Sequence, residues 1–210
     1  MMATGIAMLF LVGMRIWVFV AGALATIAAV IPLWQFVLLD YQKKRLLTFI
    51  DPEKDPLGAG YHILQSKIAL GSSGLFGKGF LEGSQSHLSF LPEKQTDFIF
   101  TMLAEEFGLV GGLVLIGLYM LLLIYAFAIS LRCRSQFGRL MGMGVSTSFF
   151  LNIFVNIAMV MGVVPVVGMP LPLISYGGTA MLTLMFSFGL LLNVYVHRDV
   201  QIGPGAADGN

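Results

Sequence analysis

Residues 98–131 read FIFTMLAEEFGLVGGLVLIGLYMLLLIYAFAISL, and the charged side chains within this run are Glu105 and Glu106. A stretch this long and apolar is typical of a membrane-crossing helix, because about 20 apolar residues span the hydrocarbon core. An acid inside such a helix is costly and usually faces a cavity or a partner. Two interpretations of the glutamates are therefore open, namely a functional role or pairing with a buried polar group.

Other apolar runs flank this one, at residues 16–39, 140–163 and 179–196. Residues 16–39 carry no charge and would measure about 36 Å as a helix, which is enough to cross a bilayer. Residues 1–14 are apolar but short, and Arg15 follows them instead of preceding them, which disfavours a signal peptide. We therefore predict an all-α polytopic membrane protein with about four complete transmembrane helices and a truncated N-terminal helix.

Composition supports lipid as the main solvent of this chain. Hydrophobic residues make up 57 % and charged residues 11 %, whereas soluble domains usually carry about 25 % charged residues. A net charge of +1 provides no basic field for nucleic acid, so we expect no nucleic-acid partner. The single cysteine, Cys133, excludes an intrachain disulfide, and we interpret it as an ordinary loop thiol.

The distribution of arginine predicts the orientation. Short cytoplasmic loops retain Lys and Arg, and five arginines fall in short segments that alternation places on one side: Arg15, Arg132, Arg134, Arg139 and Arg198. Residues 40–96 then form a large extracytoplasmic loop. The C-terminus is predicted to be cytoplasmic, and residues 201–210 a disordered tail.

The large loop contains two local patterns. Residues 61–70 place Tyr61, Leu64 and Ile68 among polar residues, which predicts a short helix lying on the membrane surface. Residues 71–79 are rich in glycine and include Lys78, which suits either a phosphate cradle or a flexible turn. They are not a P-loop, because neither Ser nor Thr follows Lys78.

Thr96 and Asp97 precede the 98–131 run. One interpretation is that either residue caps the helix by accepting bonds from its free amides. The other is that Asp97 is a reactive carboxylate at the outer mouth of a cavity. Spacing of four residues places Asp97, Thr101 and Glu105 along one helix face.

Two features follow in the last third of the chain. Ser148, Asn152 and Asn156 form a polar stripe at four-residue spacing, for which we predict helix packing. Residues 164–178 are apolar but contain three prolines and three glycines, so they cannot be regular helix. Irregular backbone at membrane depth needs protein or water around it, which predicts a re-entrant or cavity-lining loop.

Six segments in one order carry a specific resemblance: DPLGAGYH at 55–62, QSKIA at 65–69, GLFGKG at 74–79, LPEKQTDFIF at 91–100, AEEFG at 104–108 and GMPLPLISYGG at 168–178. They resemble the shape, elongation, division and sporulation family of RodA, FtsW and SpoVE, in the RodA version. Members of that family typically have ten spans, so the sequence is similar to their C-terminal part.

The resemblance implies a peptidoglycan glycosyltransferase that polymerises lipid II into glycan strands for cell elongation, in the inner membrane. It implies as partners lipid II, undecaprenyl-linked glycan, membrane lipid and a class B penicillin-binding protein. The family carboxylate falls on Asp97, which is the candidate catalytic residue. Candidate substrate-binding residues are Lys67, Lys78, Glu93, Lys94, Thr96, Glu105 and Ser175, and a divalent cation, Mg or Mn, is a candidate cofactor.

Two other functions are open at this point. Glu105 inside a span and the broken segment near Pro170 also suit the translocation path of a lipid II flippase. A non-catalytic scaffold that binds the penicillin-binding protein through its helix faces is the other alternative. Both predict that function survives Asp97→Asn, whereas a polymerase does not.

Overall fold

A computed structural model of the chain describes residues 2–32, 39, 42–43, 47–48, 59–80, 82 and 96–199. The described residues contain six main helices, numbered here in chain order: α1 Met2–Leu11, α2 Ile16–Pro32, α3 Ala59–Ser72, α4 Ile99–Arg132, α5 Gln136–Val160 and α6 Gly178–Val196. The predicted disordered tail and most of the predicted outer loop lie outside the described residues.

The helical prediction is confirmed. Helices α4, α5 and α6 are each long and apolar enough to cross a membrane. Helix α2 begins at the predicted Ile16 and is described for 17 residues, to Pro32. The remainder of the predicted span, residues 33–38, lies outside the described residues. Helix α5 begins four residues earlier than the predicted 140, because Ser135 takes the N-cap position directly after a two-residue connection.

The helices pack around α4 and α5. These two lie against each other, while α1 packs on α5 and α6 packs on both. Their shared core is aromatic and aliphatic, and Tyr119, Phe149 and Phe188 contact one another edge to face through Phe149. Burial of such rings contributes several kcal/mol of stabilisation where water is displaced.

Helix α3 is confirmed as a helix, and its predicted position on the membrane surface stays a prediction. Ile68 is exposed, and the buried residues of α3 include Ile63, Ser66 and Ala69. They are buried because α3 packs on α4 and α5. The Ser66 hydroxyl lies 2.7 Å from that of Thr101 and donates to the Val160 carbonyl at 3.0 Å. Polar pairing between helices selected this face of α3.

Helix α4 is broken at Gly108. This residue has φ 69° and ψ −162°, a conformation that only glycine adopts readily. A break there removes the two ladder bonds that Leu109 and Val110 would donate to the carbonyls of Glu105 and Glu106. Four backbone groups inside an apolar segment are thereby left needing partners.

The glycine-rich segment 73–79 supplies all four partners. Lys78 and Gly79 donate their backbone N–H groups to the carbonyls of Glu105 and Glu106, at 3.0 and 3.2 Å. Leu109 and Val110 donate to the carbonyls of Gly74 and Leu75, both at 3.1 Å. We call this four-bond contact the glycine clamp.

Close approach in the clamp explains its glycines. A Cβ on Gly77 would overlap the Glu106 carbonyl, and a Cβ on Gly108 would overlap the Gly77 nitrogen. The backbone amides of Lys78 and Gly79 are bound to α4 and so are not available to the predicted phosphate cradle, whereas residues 74–76 form a turn, as the alternative prediction has it.

We predict that Gly108→Ala lowers the unfolding free energy by about 2 kcal/mol or more, through its backbone conformation and its overlap with residue 77. Gly117→Ala is the matched control, since Gly117 lies in the same helix with open space where its Cβ would be. The control should keep or raise the midpoint, as alanine favours helix. Thermal unfolding in detergent measures both, and equal midpoints for the two variants would contradict the clamp.

Candidate functional site

Asp97 lies in a turn formed by residues 96–98, directly before α4. The N-cap position of α4 is Phe98, whose carbonyl accepts from the backbone N–H groups of Thr101 and Met102. The N-cap position thus lies one residue after Asp97, and capping by the Thr96 or Asp97 side chain stays a prediction. Thr96 and Asp97 are both half-buried. The turn touches α3, since the His62 and Phe98 rings lie 6.1 Å apart.

Two side chains bind the backbone of this turn. Asn156, which is fully buried near the end of α5, donates its amide to the Asp97 carbonyl at 2.9 Å. Ser175 donates its hydroxyl to the Thr96 carbonyl at 2.5 Å. The carbonyls of Thr96 and Asp97 precede the Phe98 carbonyl, which is the first to accept from an α4 amide, so both accept from side chains outside α4.

The same two side chains bind the irregular segment that joins α5 to α6. Asn156 also donates to the Met169 carbonyl at 2.6 Å, and the Ser175 hydroxyl accepts the Leu171 N–H at 2.7 Å. Gly168, with φ 72°, completes the contact: a Cβ built on it would lie 3.2 Å from Oδ2 of Asp97. The Asp97 carboxylate therefore lies against the backbone of Gly168. We call residues 168–175 the proline segment.

The proline segment also lines a groove, which confirms the prediction of a cavity-lining loop. The groove has a volume of about 520 Å³ and lies between α5 and α6. Its polar lining residues are Ser148, Asn152, Ser175, Thr179, Thr183 and Ser187. Ser148 and Asn152 thus face the groove, whereas Asn156, the third member of the predicted stripe, binds the Asp97 turn.

Glu105 and Lys78, two predicted substrate-binding residues, pair with each other. Nζ of Lys78 lies 2.8 Å from Oε1 of Glu105, whose side chain is 1 % exposed. The backbone N–H of Lys78 binds the Glu105 carbonyl as well. A buried carboxylate needs such a partner, because transfer of an unpaired charge out of water costs several kcal/mol. Lys78 and Glu105 are thus joined both by their side chains and by one of the four backbone bonds of the glycine clamp.

The remaining predicted site residues divide into two groups. Lys67 is exposed on α3, with its side chain over Gly162 just beyond α5. Glu93 and Lys94 lie outside the described residues. The structure thus brings Thr96, Asp97 and Ser175 together, and separately pairs Lys78 with Glu105.

A metal has no evident cage in the described part of the chain. Within those residues no group of three or more His, Cys, Asp or Glu side chains is placed to hold an ion. The divalent cation stays a prediction, and no step proposed below depends on it.

Sequence reasoning missed two contributors to the site, Asn156 and Gly168. Asn156 was expected to pack against a helix, but it binds irregular backbone from two segments. An available signal was its position shortly before Pro165, the first proline of the irregular segment. Gly168 had no signal beyond the glycine itself, since its role arises from the approach of Asp97.

Fold and site together define a multi-pass membrane protein whose candidate carboxylate is fixed between the start of one span and the irregular segment joining two others. The family model described as cell cycle protein, which covers FtsW, RodA and SpoVE, matches residues 1–200. The chain belongs to this family.

Relatives of known name support the assignment. The chain is 53 % identical over 196 residues to the peptidoglycan glycosyltransferase MrdB of Escherichia coli K12, covering 93 % of this chain and 53 % of that protein. It is 48 % identical over 158 residues to the peptidoglycan glycosyltransferase RodA of Treponema pallidum, covering 75 % of this chain and 36 % of the relative. The chain spans about half the length of MrdB.

Solved structures agree with the fold. A chain of a peptidoglycan synthase complex, studied for the coordination of polymerisation and crosslinking, matches with a TM-score of 0.71 and 32 % identity. That match covers 91 % of this chain and 52 % of the other. A mutant of the rod shape determining protein RodA from Thermus thermophilus matches 59 % of this chain and 39 % of its own, with a TM-score of 0.50 and 37 % identity.

We predict that the Lys78–Glu105 pair is strongly coupled. Lys78→Met alone leaves a buried carboxylate without its cation and should cost about 3–5 kcal/mol of unfolding free energy. The double variant Lys78→Met/Glu105→Leu removes both charges and should be more stable than Lys78→Met. Thermal unfolding in detergent of Lys78→Met, Glu105→Leu and the double variant completes the double-mutant cycle.

The control for this cycle is Asp199→Asn, which breaks the exposed contact of Asp199 with Arg198 at 3.7 Å. It should change stability by less than about 1 kcal/mol. Additive losses at Lys78 and Glu105 would show that the two charges do not stabilise each other.

Proposed function

We propose that this chain supplies the catalytic carboxylate of a peptidoglycan glycosyltransferase that polymerises lipid II. The observation that carries the proposal is the placement of Asp97: its backbone is bound by Asn156, and its carboxylate lies against Gly168. A base must be held in a defined position to help a reaction. The glycosyltransferase names of MrdB and RodA support polymerisation over transport or scaffolding.

The reaction is a substitution at an anomeric carbon. The 4-hydroxyl oxygen of a GlcNAc unit attacks the anomeric carbon at the lipid-linked end of the growing strand. A carbon–oxygen bond forms there as the bond to the lipid pyrophosphate breaks. The hydroxyl proton passes to the Asp97 carboxylate and then to solvent, while the pyrophosphate leaves with its electron pair. General-base help of this kind contributes roughly 10²–10⁴-fold.

The surroundings of Asp97 suit a base more than an acid. It lies at the N-terminal end of α4, where the partial positive charge of the helix favours a negative side chain. The pyrophosphate leaving group needs little protonation, so the acceptor hydroxyl is where help is useful. We assign Lys67 to the pyrophosphate because it is exposed, whereas Lys78 is paired with Glu105.

The proposal also covers the cellular setting. The protein would lie in the cytoplasmic membrane with its C-terminus and its arginine-bearing short loops inside, following the retention of positive charge. Lipid II and the undecaprenyl-linked strand would meet Asp97 at the outer face. A class B penicillin-binding protein would crosslink the product, and the similarity to a chain of a synthase complex that coordinates polymerisation with crosslinking supports such a partner.

The test is a chimera in which this chain replaces the 196 aligned residues of E. coli MrdB. The native chimera should polymerise purified lipid II in liposomes. Asp97→Asn should lower the rate by about 10²-fold or more, because the amide keeps the shape but cannot take the proton.

Asp199→Asn makes the same chemical change at an exposed site and should polymerise at the native rate. Translocation of labelled lipid II is measured in parallel. A folded chimera without polymerisation, or an Asp97→Asn chimera as fast as the native one, would overturn the proposal. Transport unaffected by Asp97→Asn and without polymer would favour the flippase.

A further inference from the structure

The Asp97 turn is held by two side chains that contact its backbone. We infer that Asn156 and Ser175 are positioning residues, which set the rate of polymerisation by fixing where the Asp97 carboxylate lies. The inference rests on the proposed function. It adds two residues and a mechanism of action that the carboxylate itself does not reveal.

Asn156 and Ser175 bind two backbone carbonyls of the turn. Within the turn, Thr96 and Asp97 present carbonyls that come before the Phe98 carbonyl, where the α4 ladder begins. A hydrogen bond within a protein contributes a net stabilisation of about 0.5–1.5 kcal/mol. The bonds from Ser175 and Asn156 form only when the turn occupies one position relative to these side chains.

The second step is that each side chain holds two segments at once. Asn156 donates to Asp97 and to Met169, and the Ser175 hydroxyl links Thr96 with Leu171. If the turn moves relative to the proline segment, neither Asn156 nor Ser175 can keep both of its hydrogen bonds. The turn and the segment therefore behave as one unit.

The third step is that the proline segment is itself fixed. The Tyr119 hydroxyl, from the middle of α4, donates to the Pro172 carbonyl at 2.5 Å. The next residue, Leu173, has φ 69°, a left-handed conformation that costs about 1–2 kcal/mol for a residue with a side chain. Such a conformation persists where the surroundings determine it. The position of Asp97 is therefore set by contacts of the turn and the proline segment with Tyr119 of α4 and Asn156 of α5.

The last step links position to rate. The carboxylate lies against Gly168, so a shift of the turn changes its distance to that backbone and to any bound acceptor. Misplacement of a reacting group by about 1 Å can lower a rate by about 10²-fold. The bonds that Asn156 and Ser175 make here go to backbone, so their loss should change kcat more than KM.

The experiment introduces Ser175→Ala, Asn156→Leu and Ser175→Thr into the full chain carried in the MrdB chimera. Activity is expressed per folded molecule, from the amplitude of thermal unfolding. Each variant leaves the other of the two side chains bound to the turn, so we expect the protein to fold. Ser175→Ala and Asn156→Leu should lower kcat about 10- to 100-fold, with KM changed less than about 3-fold. Ser175→Thr keeps the hydroxyl and should restore most of the rate.

Ser146→Ala is the matched control. Ser146 is also a buried serine, but its hydroxyl donates to Gly142 in its own helix, so the kinetic constants should stay native. Native kcat in Ser175→Ala and Asn156→Leu, or a rise in KM alone, would overturn the inference. If these variants overturn the inference while Asp97→Asn is inactive in the same assay, the proposed function still stands. If Asp97→Asn is active, both the proposed function and the inference fail.

Discussion

Backbone groups that leave a helix inside a membrane protein must find partners within the protein, because the hydrocarbon core supplies no water. The hydrogen-bond ladder of α4 is interrupted at Gly108, and two further carbonyls, those of Thr96 and Asp97, lie in the turn before the ladder begins. Each gap is closed by groups from elsewhere in the chain. The glycine clamp closes the first, and Asn156 and Ser175 close the second.

Glu105 in α4 and Asp97 in the turn before it have different surroundings, although the sequence predicts that they share one helix face. Glu105 sits where the clamp crosses the helix, and its charge is matched by Lys78 from the clamp itself. Asp97 sits where the helix begins, beside a groove-lining segment that approaches it with backbone. Glu105 is paired with Lys78, and Asp97 is the carboxylate proposed to meet the substrate.

The sequence was sufficient for the parts that depend on apolar runs and on quoted motifs. It predicted the helices and the irregular segment after α5, while the catalytic role that the resemblance implies for Asp97 stays a prediction. It was insufficient for parts that depend on two distant segments meeting. The glycine run suited either a cradle or a turn because nothing local shows that Gly77 meets Gly108, and nothing local shows that Ser66 pairs with Thr101.

The proposed role of the Asp97 carboxylate is to take a proton from the acceptor sugar. Small carboxylate anions can replace a missing base when the substitution leaves a cavity for them. The most direct measurement is therefore lipid II polymerisation by the Asp97→Ala chimera with increasing formate. If Asp97 is the base, the rate should fall about 10²-fold or more without formate and recover as formate is added. A rate equal to the native one without formate would contradict this role.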